Sequence, residues 1–255
     1  MSNTNHQTVP QHVLALVPGS TAGDWRRHDN GGGWVYRHAR VARTAFIGPD
    51  AVVADHAEVR DNGVVRDHAR VTGNATVCGR AIVADHAVVA GTAWVRDHAV
   101  VGGASRVGGN AVVRDNGVVR DNARVAGTAQ VGGFAKVAGT ACVEDHARVD
   151  GFARVGGRAA IYGSARVADT ASIGGSARVG GYAHVGGAAR VCDRARVIDN
   201  AEVSGAAKVG ENAEVCGRAR VGGHARVGGF AEVCGSAVLG GSAEVGGNAR
   251  VGVTA

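Results

Sequence analysis

From Val35 to Val251 an aliphatic residue falls on every sixth position, without one insertion or deletion. The ladder has thirty-seven positions, of which thirty-three are Val and the others are Ile47, Ile161, Ile173 and Leu239. Two residues before each stands Ala, replaced only by Gly33, Gly63, Ser105 and Gly117. A period of six fits neither the 3.6 of a helix nor the plain alternation of a long strand, so something must turn the chain within every hexad. Gly or Asp two residues after almost every Val supplies the turn, because Gly tolerates positive φ and Asp bonds backbone locally. Each hexad is therefore a short strand and a corner. Ala and Val point inward, while the residue between them and the one after Val point outward.

A fixed six-residue period is a signature of a parallel β-helix. Hexads such as "VAGTAQ", "VGGFAK" and "VADTAS" resemble the consensus of the hexapeptide-repeat left-handed parallel β-helix family, and the resemblance runs over about 85% of the chain. It implies an all-β solenoid, a single-stranded left-handed parallel β-helix of about 12 triangular coils of 18 residues, with no loop insertions. Residues 18 apart then stack on one face. Handedness comes from the resemblance alone, since parallel-strand crossovers in other folds are right-handed. At roughly 4.8 Å per stacked strand the rod is on the order of 60 Å long.

The expected organisation is a disordered N-terminal tail over 1–12, a cap segment over 13–34 and the β-helix over 35–255. The cap segment, "VLALVPGSTAGDWRRHDNGGGWV", is similar to the preface of bacterial and phage hexapeptide-repeat proteins through Ala15, Leu16, Gly23, Asp24, Gly32, Gly33, Trp34 and Val35. It would shield the strand edges and Val side chains of the first coil. Its GGG lacks the GK[ST] ending and the following helix of a phosphate loop. At the other end, "GVTA" from Gly252 to Ala255 breaks off in mid-hexad, from which end-to-end association at the last coil is expected.

Aromatic residues make up only 4% of the chain, as a Val and Ala core requires, and the 42 glycines belong to corners. No run approaches the ~18–20 apolar residues of a membrane span, and the N-terminus lacks the regions of a signal peptide, so a cytoplasmic location and no membrane partner are expected. The five cysteines, Cys78, Cys142, Cys192, Cys216 and Cys234, lack CxxC spacing. Cys216 and Cys234 stack, but free thiols are the expectation in a reducing compartment.

The outward residues of one face, sorted at 18, read Phe46, Val64, Ile82, Val100, Val118, Lys136, Arg154, Ser172, Arg190, Lys208, Arg226 and Glu244. The five apolar residues form a stripe that either the N-terminal segment covers or another rod contacts; Trp94 and Val112 extend a second face. The cations Lys136, Arg154, Arg190, Lys208 and Arg226 form a line that an anion could match, and the formal net charge of +6 makes a polyanion a candidate partner. Glutamates among the arginines of the other faces and the scarcity of aromatics argue for a solvated surface instead.

Eleven histidines invite a catalytic reading, because the resemblance reaches acyltransferases that use a His and carbonic anhydrases that bind zinc through His. Five of them follow Asp at the same variable outward corner, at His56, His68, His86, His98 and His146. His38 with His56, and His68 with His86, lie 18 apart, yet two ligands fall short of the three that a catalytic zinc needs. Enzymes of the family build their pockets from loops, and here no hexad carries an extra residue. Outward Arg, Glu and Val argue against ice binding through Thr arrays. The sequence thus predicts a structural or scaffolding solenoid that self-associates, with no catalytic residue, metal or cofactor assigned. The alternatives are a hexapeptide-type acyltransferase with its site between subunits, binding coenzyme A, and a polyanion-binding module.

Overall fold

The computed structural model describes residues 8–252. β-branched valine favours extended backbone, and each hexad contributes one two-residue strand, from Arg40–Val41 to Arg250–Val251. Every strand pairs in parallel with those three places away in sequence, so Val35 lies beside Val53 and Val53 beside Val71. The result is three sheets of 14, 12 and 12 strands forming a parallel β-solenoid of about twelve 18-residue turns, the geometry of a left-handed β-helix.

The interior is as the repeat requires. From Ala45 to Val233 the Ala and Val ladders are fully or almost fully buried. Burying one such Val is worth about 1.5–3 kcal/mol. The sole polar interruption, Ser105, is buried and donates from its hydroxyl to the Gly102 carbonyl at 2.7 Å. Leu239, Val245 and Val251 in the last described turn are only partly covered.

The corners hold the feature that the hexad pattern did not reveal. From Ala54 onward each is a tight turn closed by a bond such as Ala57 N–H to the Ala54 carbonyl, with positive φ at its second residue. Among the described residues twelve non-glycines adopt this conformation, at φ 54–64°: eleven aspartates and Glu211. The N–H of this residue meets no carbonyl of the adjacent turn. In all twelve cases the acidic side chain instead accepts the N–H of the equivalent corner 18 residues later, as Asp55 does from Gly73 at 2.8 Å and Asp121 from Gly139 at 2.8 Å. The expected local bond of Asp is thus corrected. The carboxylate points along the rod axis and staples one turn to the next.

Order begins before the expected boundary at residue 13. Val9 is buried and α1 spans Gln11–Leu14, because Val9 and Val13 close over the first coil. Residues 1–7 of the expected disordered tail lie outside the described residues. A capping box between Thr21 and Asp24 leads into β1 (Trp25–Arg27), which pairs antiparallel with β2 (Trp34–Tyr36). The connecting loop docks on the first coil: Gly33 N–H donates to the Ile47 carbonyl, Ile47 N–H to the Asn30 carbonyl. A Cβ on Gly31 or Gly33 would collide with Ile47, so the glycines serve close backbone approach. The Arg27 guanidinium lies 3.8 Å from the centre of the Trp34 ring, sealing that edge.

Candidate functional site

The apolar stripe is continuous. Phe46, Val64, Ile82, Val100 and Val118 lie on consecutive strands of one sheet, each in register with the next. All five are half-buried. The N-terminal hairpin extends a different sheet, and its loop approaches the stripe at Phe46. On the second face Trp94 and Val112 are likewise paired in register, with Trp94 exposed.

The same sheet continues from Val118 to Lys136, Arg154, Ser172, Arg190, Lys208, Arg226 and Glu244. The five cations are exposed. Arg226 is answered by Glu244 at 3.2 Å, whereas Lys136, Arg154, Arg190 and Lys208 have no ion-pair partner among the described residues. Like charges on directly opposed strand positions repel.

Chain order puts the corner of Phe134 and Phe152 immediately before Lys136 and Arg154. These two rings are 51% and 60% exposed and lie parallel, 3° apart, with centroids 5.0 Å apart. The signal was present in the sequence as two phenylalanines 18 apart, each two residues before a cation, and the composition figure of 4% aromatics concealed it.

The histidine pairs are adjacent but differ in geometry. His68 and His86 stack at 5.0 Å with their planes 11° apart, while His38 and His56 are tilted by 35° at 5.4 Å, with Tyr36 edge-on to His38. Among the described residues no group of three or more His, Cys, Asp or Glu converges as metal ligands. Cys216 and Cys234 form a disulfide across adjacent turns, their Cα atoms 4.5 Å apart, which corrects the expectation of free thiols there. Stacking the two positions at strand spacing places them within disulfide reach. Cys78, Cys142 and Cys192 are free. Burial, reinforced by a hydrogen bond to Glu144, pushes the Cys142 thiol up to about 11; burial and the Asp193 carboxylate do the same to Cys192.

The surface also carries shallow grooves. One of about 560 Å³ lies beside Arg106 and Arg124 over small residues such as Ala90, Gly108 and Ala126. Another, of about 460 Å³, is lined by His146, Arg148, Ser164, Arg166, Tyr182 and His184.

No protein-family model matches the sequence, and no curated protein matches it. The class rests on the geometry: a parallel β-solenoid with an uninterrupted exterior, a half-apolar and half-basic face, and no helix among the described residues long and apolar enough to cross a membrane.

Proposed function

We propose that the protein is a structural rod of the hexapeptide-repeat type that associates laterally with a second copy of itself. The observation that supports this is the Phe46 to Val118 stripe, five half-buried apolar side chains in register on consecutive strands. Exposed apolar patches of this kind are withdrawn from water by an interface. The basic half of the face selects the arrangement. Two rods side by side and parallel would set Lys136 against Lys136; an antiparallel, staggered pair overlaps only the apolar halves and carries the cations away from each other.

The test is sedimentation velocity across a concentration series with Ile82→Arg/Val100→Arg beside the parent chain. The parent dimerises and the variant remains a monomer with unchanged melting, because both side chains point outward. A parent chain that stays monomeric at high concentration overturns the reading.

A second reading, binding of a polyanion along Lys136, Arg154, Arg190 and Lys208, is favoured by their lack of carboxylate partners among the described residues and by the exposed Phe134 and Phe152 beside them. Salt-sensitive retention on heparin that disappears on reversing Lys136, Arg154 and Arg190 to Glu supports it.

A further inference from the structure

Five arginines on this rod pair with a glutamate one turn away: Arg40 with Glu58, Arg196 with Glu214, Arg220 with Glu202, Arg226 with Glu244, Arg250 with Glu232. Like Arg106 and Arg124, Arg148 and Arg166 have no such pair among the described residues. They oppose each other in register, and their outer strand neighbours are Gln130 and His184. Neither has a carboxylate partner among the described residues.

What surrounds them is a set of donors. Along the adjoining corner, one turn apart, stand His146, Ser164 and Tyr182, each two residues before Arg148, Arg166 and His184 respectively. The six side chains form a grid, three turns long and two positions wide, around the groove of about 460 Å³. His146 Nδ1 is 2.5 Å from the Thr128 hydroxyl, and its Nε2 edge has no partner among the described residues. Three neighbouring acids are engaged elsewhere, among them Asp169, whose carboxylate lies beside His184 and accepts the Gly187 N–H at 2.7 Å. Asp145 accepts the Gly163 N–H at 2.8 Å, and Glu202 pairs with Arg220 at 3.5 Å. Tyr182 leaves 72% of its surface exposed at one end of the grid.

We propose that this groove binds the diphosphate group of a phosphorylated small molecule. Two arginines on strands one turn apart, a backbone spacing of about 4.8 Å, can present two forks to two linked phosphoryl groups, and guanidinium recognises such oxyanions through paired charge-assisted bonds. Imidazole and hydroxyl groups on the adjoining corner supply further hydrogen bonds. The groove lies within the size range of small-ligand sites, about 300–1,000 Å³. The Tyr182 ring gives the flat surface on which a base would stack.

The experiment is titration calorimetry at low ionic strength with pyrophosphate and with ADP. Removing both guanidiniums, Arg148→Ala/Arg166→Ala, weakens pyrophosphate binding about a hundredfold, roughly tenfold for each guanidinium removed. The comparison is Arg106→Ala/Arg124→Ala, an equally unpaired arginine couple beside the other groove but without imidazole or tyrosine; it leaves the affinity within about twofold. Ser164→Asp, which puts a carboxylate into the groove while leaving both arginines, abolishes binding too and guards against a folding defect in the alanine pair. ADP binding more tightly than pyrophosphate, with the difference removed by Tyr182→Ala, assigns a nucleoside diphosphate; equal affinities assign the free diphosphate. No binding of either probe, or equal losses in the two arginine pairs, overturns the proposal. The dimer interface is on another sheet, so its failure and this one are read separately.

Discussion

The acidic corners make a prediction that distinguishes conformation from bonding. Asp121 sits at φ 62° and accepts the Gly139 N–H at 2.8 Å. A left-handed conformation costs an ordinary L residue about 1–2 kcal/mol, with Asn and Asp the tolerated exceptions. A hydrogen bond to a charged group contributes about 1.5–3 kcal/mol, reduced to about 1 kcal/mol at an exposed corner. Asp121→Asn keeps an acceptor and the tolerated conformation, and costs well under about 1 kcal/mol. Asp121→Gly relieves the backbone but loses the bond, for about 1 kcal/mol. Asp121→Ala loses the bond and adds the strain, for about 2–3 kcal/mol. The order of denaturation midpoints is therefore Asn, Gly, Ala, from most to least stable. Because a solenoid's stability is nearly a sum of nearest-neighbour terms, amide hydrogen exchange at Gly139 gives the local readout: faster in the Gly and Ala variants, near the parent rate in Asn. An Ala variant as stable as Asn, or a Gly139 amide that exchanges at the parent rate in the Gly variant, would refute the staple.

The remaining predictions concern the core and the thiols. Val143 is fully buried, so Val143→Asp places an unpaired charge inside and unfolds the adjoining turns, seen as a lowered and broadened melting transition; unchanged melting contradicts the inward assignment. Non-reducing peptide mapping recovers Cys216 linked to Cys234, with Cys78, Cys142 and Cys192 open to alkylation. With its thiol at about 11, Cys192 is protonated at pH 8 and reacts more slowly than a free cysteine, accelerating as the pH rises through 10 to 11. Asp193→Asn removes the neighbouring negative charge and speeds the reaction at pH 8.

Much of the architecture follows from the repeat. An aliphatic residue at every sixth position and a small residue two before it determine which side chains face inward, and the 18-residue triangular turn determines which residues stack. The apolar stripe from Phe46 to Val118 and the basic line after it were both legible, because each is a column in a regular array of outward positions. The N-terminal hairpin was less so: Trp25 and Tyr36 become partners through a turn at Gly31 and Gly32 that has no counterpart in the hexads.

What the sequence by itself determined is the one-dimensional order: period, inside and outside, and the column to which each residue belongs. Only the tertiary structure decided how neighbours within and between columns meet. Asp121 is a corner residue on either reading, but its bond to Gly139 depends on the carboxylate pointing along the axis. Phe134 and Phe152 share a column on paper and become a parallel stack only through their rotamers. Arg148 and Arg166 read as two more surface arginines until the adjoining corner brings His146, Ser164 and Tyr182 beside them. Periodicity specifies where a Cβ starts; the direction of the side chain beyond it, and the groups that meet it from the next turn, are set by packing in three dimensions.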